Sequence, residues 1–322
     1  MSDARVYPKA LRNLHRWAIA VTIATFPLIW LGGLVTTYDA GMAVPDWPGT
    51  YGYNLWLYPW TTWIFGPFDL FVEHGHRLNG TVVGFLSIGF CIASYRSEPR
   101  RWAIQWAFAV LIAVILQGAL GGLRVVLDAR TLAMIHGCTG PLFFAMATAT
   151  AVMTSRWWRE VSPTLGRAPI RTSTAMGLLA ASICQLIIGA QLRHIQPWAE
   201  PRHFLMFVHL HLTFAAIVTL GIGWVAFKVS GRFEGETLGI SRPAGLLVLL
   251  VLVQLGLGIG TWISNYALPW PNLTQWLAQY TIQAKGFAES LIVTGHQATG
   301  SLIIALATVL YCSVARLNRN SK

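Results

Sequence analysis

Four histidines, His76, His136, His211 and His296, each stand inside an apolar stretch of the chain. An ionisable side chain in such a setting is costly and takes a partner. An imidazole is a common metal ligand, and histidines facing each other from two helices of a bundle can hold a haem iron. A structural zinc ion needs a third or fourth ligand nearby. The stretches around His211 and His296 offer none, so two bis-histidine haem pockets fit the pattern better. Glu73 precedes His76 by three residues, which on a helix is one face. The matching position before His211 is Val208, and Arg77 is matched by Leu212. A carboxylate beside a ligating histidine can accept a proton or orient water; a valine cannot. The first set therefore reads as the reacting site, and the second as a resident cofactor pocket or electron relay. His74 lies two residues from His76, roughly 200° around a helix axis. It and His209 are read as packing or surface residues.

The elements that must carry these residues are membrane spans. Of 322 residues, 55% are hydrophobic and only 11% charged. Length and apolarity give eight spans, at residues 15–37, 73–95, 102–125, 131–154, 172–193, 204–227, 243–264 and 290–314. The chain is an all-α polytopic membrane protein on this reading. The first apolar segment is long enough to span, and no small-residue cleavage site follows it, so no cleaved signal peptide is expected. Lys and Arg orient the bundle. The N-terminal arm, the second, fourth and sixth loops and the tail together hold 17 of the 23 basic residues. Both termini are thus expected to be cytoplasmic, in a bacterial-type plasma (inner) membrane. The net charge of +11 is then mostly a topology signal, and nucleic-acid binding is excluded as its purpose. Cys91, Cys138, Cys184 and Cys312 fall in or beside apolar segments without a CxxC pair, which makes them packing residues.

The spans repeat. His136-Gly137-Cys138-Thr139-Gly140-Pro141-Leu142 in the fourth echoes His296-Gln297-Ala298-Thr299-Gly300-Ser301-Leu302 in the eighth. The odd spans share Leu28-x-x-x-Gly32, Gln117-x-x-x-Gly121, Gln185-x-x-x-Gly189 and Gln254-x-x-x-Gly258, where small residues let helices approach. The chain is accordingly expected to form two tandem, pseudo-symmetric four-helix bundles, residues 1–160 and 161–322. Each supplies two histidines near the outer helix ends, one to two turns in. Arg77, Arg124 and Arg193 sit at those ends, where haem propionates would point and where arginine suits a carboxylate. Snorkelling to the headgroups is the plainer alternative for each. The first outer loop, residues 38–72, lacks Lys and Arg but carries Trp47, Tyr51, Tyr53, Trp56, Tyr58, Trp60 and Trp63. It is read as an interfacial belt or as a lid over a site beneath. A later loop with Trp270, Trp276 and Tyr280 matches it.

With these residues in order, the chain resembles the haem A synthases. Glu73-x-x-His76-Arg77, the Gly41-x-x-x-Pro45-Asp46-Trp47-Pro48 loop, His136, His211 and His296 carry the resemblance, which covers about residues 12 to 315. It implies an oxidoreductase that converts the C8 methyl of haem O to a formyl group, making haem A for terminal oxidases. It further implies that His76 and His136 bind substrate haem O, that Glu73 takes part in catalysis, and that His211 and His296 hold a permanent haem b. Implied partners are a haem O synthase, an electron-transfer partner and the lipid bilayer; an oligomer is left open. Many members carry a cysteine pair in the first outer loop. Here Val44 precedes Pro45 and the loop has no cysteine, so any redox role of such a pair is excluded. Two other readings compete. A two-haem electron-transfer cytochrome accounts for four histidines but not for Glu73 or the asymmetry. A transporter would place its site at the midplane between broken helices, and here the ionisable residues gather at the outer ends.

Overall fold

The computed structural model describes residues 8–161, 168–195, 199–230, 238–265 and 286–319. Among the described residues the regular structure is helical, with no strand beyond a single bridge between Thr50 and Tyr53. The helices are α1 (Lys9–Thr37), α2 (Trp60–Ile64), α3 (Phe68–Ser97), α4 (Arg101–Val126), α5 (Arg130–Thr154), α6 (Arg156–Glu160), α7 (Thr172–Arg193), α8 (Pro201–Ser230), α9 (Leu238–Asn265) and α10 (Phe287–Arg319), with a 3-10 turn at Ala40–Met42. Eight of these, all but α2 and α6, are long and apolar enough to cross a bilayer. A helix satisfies its backbone internally, which hydrocarbon demands. The chain is an integral multi-pass membrane protein.

Several spans start earlier than their apolar windows suggested. α3 begins at Phe68, after Pro67, rather than at residue 73. α8 begins at Pro201 and α10 at Phe287. Proline fixes φ near the helical value and lacks an N–H that would be unsatisfied in the first turn, so it suits the starts of α3 and α8; α10 starts after Gly286 instead. Glu73 is therefore not at a helix entrance but inside the second turn, and it does not cap α3. Counted from the true starts, the four histidines lie about 9–15 Å along their helices at 1.5 Å per residue, with His136 still within two turns and His76, His211 and His296 between two and three.

α3 packs against α1 and α4, and α5 against α1 and α4. Leu14 and Val21 of α1, Val83 and Phe90 of α3, Val110 of α4 and Phe143 of α5 share one buried cluster. α7 meets α8 and α10, and α9 meets α8 and α10. Their cluster includes Leu178, Ile222, Leu247 and Leu310. α10 also touches α1 and α5, with Ile29, Phe144 and Ala305 in contact there. It is the most enclosed span because its buried positions are mostly small: Ser290, Thr294, Gly295, Ala298, Ser301, Ala305 and Ala307 among them. In lipid, small side chains and close backbones replace the hydrophobic drive as the source of helix association. The Ser301 and Thr308 hydroxyls carry no penalty, since they return hydrogen bonds to the Gln297 and Ile304 carbonyls, at 3.1 and 2.8 Å, whereas Ser290 Oγ is buried without a partner among the described residues.

Candidate functional site

The histidines meet in two pairs. The rings of His76 on α3 and His136 on α5 have centroids 6.2 Å apart and lie edge to face at 86°. The rings of His211 on α8 and His296 on α10 are also 6.2 Å apart, at 61°. Each ring rests on a glycine of another span. A Cβ added at Gly32, Gly121, Gly189 or Gly258 would stand 3.0 to 3.1 Å from Cε1 of His76, His136, His211 or His296 respectively. The Leu/Gln-x-x-x-Gly repeat, expected to let helices approach, also clears a seat for an imidazole. At three of the four, the glutamine four residues before the glycine adds polar support. The Gln117 side chain donates to the His136 carbonyl at 2.9 Å and accepts from Thr139 at 2.6 Å. The Gln185 amide nitrogen is 3.2 Å from His211 Nε2. His296 Nδ1 donates to the Gln254 carbonyl at 3.2 Å.

These pairs fit a haem iron. A metal–imidazole bond is about 2 Å and the ring radius adds about 1 Å on each side, so two axial imidazoles set their centroids about 6 Å apart. Nδ1 of His76, His136 and His211 is buried without a hydrogen-bond partner. Among the described residues no three His, Cys, Asp or Glu side chains converge. The donor set is thus two imidazoles at each place, which suits a metal whose other ligands come from a macrocycle.

Glu73 is 1% exposed. Its Oε2 accepts the Val44 amide at 2.8 Å and its Oε1 pairs with Arg77, also at 2.8 Å. Arg77 further donates to the carbonyls of Val44 at 2.6 Å, Asp46 at 2.6 Å and Gly49 at 2.8 Å. Both Nη atoms are therefore committed to the first outer loop. Trp47 lies over Gly122 of α4, and Gly41 lies against the Arg124 guanidinium. Thr50 Oγ1 bonds His74 Nδ1 at 2.9 Å, and Trp63 and Tyr58 flank that ring. The loop is thus bolted across the start of α3 and the end of α4, while Tyr51, Tyr53, Trp56 and Trp60 stay exposed. Asp46 closes its turn, accepting the amides of Tyr51 at 2.7 Å and Gly52 at 2.9 Å. Gly52 has a φ of 80°, which suits glycine. Partial burial pushes the Asp46 carboxyl up, but the Gly52 and Tyr51 amides and the Arg77 charge hold it below the usual range.

The three arginines differ. Arg124 has no hydrogen bond or ion pair among the described residues, and it is close enough to His76, His136 and Glu73 to act on each electrostatically. Arg193 spans helices: it donates to Gln297 Oε1 at 2.7 Å, the Gly33 carbonyl at 2.9 Å and Thr37 Oγ1 at 2.6 Å. Thr37 in turn meets Thr294 at 3.2 Å. Gln297 follows His296 and Gly33 follows Gly32, so this seam runs between the two histidine pairs. His74 is a buried packing residue and His209 is exposed, donating to the Leu205 carbonyl at 2.7 Å. The loop with Trp270, Trp276 and Tyr280 lies outside the described residues. Asp46, Thr50, Gln117, Gln185 and Gln297 join the site without having been singled out for it. For Gln117 and Gln185 the fixed offset of four from a glycine was the available signal.

The family model COX15-CtaA, described as cytochrome oxidase assembly protein, matches residues 15–200, more than half of the chain. The chain is similar to the "Heme A synthase" of Chelativorans sp. (strain BNC1), 31% identical over 148 residues, 44% of this chain and 40% of the relative. The "Heme A synthase" of Bradyrhizobium sp. (strain ORS 278) is 28% identical over 157 residues, 46% and 42% of the two chains. That of Lysinibacillus sphaericus (strain C3-41) is 24% identical over 150 residues, 44% and 45%. The matched part spans under half the length of each relative.

Proposed function

The chain belongs to the COX15-CtaA family of cytochrome oxidase assembly proteins, and from that premise we propose that it makes haem A, oxidising the C8 methyl of haem O to a formyl group. The observation that carries the reading is the pair of imidazole pairs, each with haem-like spacing under glycine seats. The relatives' names support it. His76 and His136 hold the substrate haem O, with Glu73 and the loop above them. His211 and His296 hold haem b, which when bound supplies one-electron redox chemistry.

The protein's own tasks are positional. The glycine seats fix the rings. The Glu73–Arg77 pair holds the loop at residues 44–49 over the first site and excludes water from it. Glu73 accepts or relays a proton as the methyl passes through the alcohol to the aldehyde; with water as the oxygen source each of the two oxidations releases two protons and two electrons, and the electrons pass to the electron-carrier partner. Arg124, with its donors uncommitted, is the first choice for a propionate; Arg77 and Arg193 serve there only through donors left over from the loop and the seam. The four-helix groupings α1–α3–α4–α5 and α7–α8–α9–α10 are read as tandem pseudo-symmetric halves, residues 1–160 and 161–322. Both termini are cytoplasmic in a bacterial-type inner membrane, with a haem O synthase and an electron carrier as partners.

The equal spacing of the two pairs equally favours a non-enzymatic two-haem relay. Pigment extraction after co-expression with a haem O source separates the readings. The enzyme yields haem b together with haem O, its alcohol or haem A; a relay yields haem b alone.

A further inference from the structure

At the far end of the bundle, the starts of α1 and α4, α6 and the end of α10 line an open cavity of about 730 Å³. From His76 to the end of α3 is roughly 30 Å of helix, so this cavity shares no residue with the histidine pairs. Its wall carries Arg100, Arg159, Arg316 and Arg319, against one carboxylate, Glu160. That carboxylate pairs with Arg156 at 2.6 Å. Behind the wall Glu98, 5% exposed, takes Arg100 through two bonds, of 2.8 and 3.0 Å, and Arg159 through another ion pair. One buried carboxylate thus fixes two guanidiniums without cancelling both. Burial raises the Glu98 carboxyl, and the two arginines bring it below its ordinary value. Among the described residues the wall is positive in excess.

The cavity is not only charged. Arg100 lies over the Trp102 ring at 4.9 Å and Arg316 over Trp158 at 5.8 Å. Arg316 Nε also donates to the Trp158 carbonyl at 3.0 Å. Stacking and that bond hold guanidinium planes in place, ready for the bidentate geometry of a phosphate. Leu11 and Ala315 add apolar wall. The volume lies within the ordinary range for a small-ligand site. Tryptophans at span ends sit at headgroup level, and basic pockets between membrane helices suit phospholipid heads. A cavity with both features, opening where spans end, faces lipid rather than bulk solute.

We propose that this cavity seats the phosphate headgroup of an anionic phospholipid, with Arg316 and Arg319 against the phosphate and Trp102 and Trp158 against the glycerol and upper acyl carbons. The full-length protein in detergent is examined by native mass spectrometry with added phosphatidylglycerol, cardiolipin or phosphatidylcholine. A parallel arm follows thermal unfolding with sodium pyrophosphate. The wild type should retain the two anionic lipids and not phosphatidylcholine. Arg319→Gln should cut retention several-fold with lipid-free melting unchanged, and Arg316→Gln/Arg319→Gln at least tenfold. Arg319 ends α10, so its single variant carries the test if the double variant fails to fold. Equal retention by the variants, or equal retention of phosphatidylcholine, overturns the proposal. So does protection by pyrophosphate with none by lipid, which would make the ligand a soluble phosphate.

Discussion

Replacing Gly258 by alanine adds one methyl group in front of His296. At ideal geometry the new Cβ stands 3.1 Å from Cε1 and 3.6 Å from Nδ1 of that ring. Carbon atoms rest about 3.5–4.0 Å apart, so the ring must withdraw by about half an ångström. Overpacking of this kind costs about 1–3 kcal/mol. Alanine returns about 1 kcal/mol through helix propensity, which leaves the haem-free fold about 0–2 kcal/mol weaker. The ligand bond has no such compensation. If the whole 1–3 kcal/mol falls on haem b, affinity drops about 5- to 150-fold at 1.4 kcal/mol per tenfold. Gly256, two residues away on the same helix, has nothing within 4 Å of an added Cβ. Gly256→Ala is therefore the control, expected to raise stability by up to about 1 kcal/mol with haem binding unchanged. Both variants are depleted of haem, titrated with haem b and followed by the Soret band, with thermal melts alongside. Wild-type affinity and spectrum in Gly258→Ala, or an equal loss in Gly256→Ala, would refute the seat.

His211→Ala or His296→Ala should lose the low-spin haem b signal while the His76–His136 pair stays intact; purified variants with unchanged haem content and spectrum would rule out that pairing. Glu73→Gln keeps an acceptor for the Val44 amide but gives up its charge toward Arg77. Haem A formed per bound haem b should fall by roughly 100-fold or more, and near-normal yield would end the catalytic role. The lowered carboxyl of Asp46 stabilises the outer loop fully above the ordinary aspartate value of 3.8 and loses that contribution as pH falls below it, through the folded value. Proteolysis within residues 44–58 should rise over that acid window in the wild type, and Asp46→Asn should be cut readily and without pH dependence there.

The eight spans and the four histidines were legible because length, apolarity and a repeat are properties of the chain itself. Span starts were not. An apolar window stops at a charge such as Glu73, but the α3 backbone continues back to Phe68 because Phe68, Leu70, Phe71 and Val72 extend the helix toward the headgroups. The glycine repeat was visible, but its purpose depends on which neighbouring side chain swings over it, a tertiary fact that local spacing cannot hold. Arg77 shows the same limit. Its position at an outer helix end suggested a propionate, whereas its Nη donors go to loop carbonyls some 30 residues back along the chain. Backbone carbonyls leave no mark in a sequence.

The seam through Thr37, Thr294 and Arg193 sets a timetable for biogenesis. Thr37 and Thr294 are 257 residues apart. At about 5–20 residues per second of synthesis, the second emerges about 10–50 s after the first. During that interval α1 is already in the bilayer with its later partner unmade. What holds it meanwhile is the earlier contact of Leu14 and Val21 with Val83 and Phe90 of α3. α5, which also packs against α1, follows long before α10, so a lesion in the α1–α3 contact should weaken the first support that α1 has while the seam is still unmade.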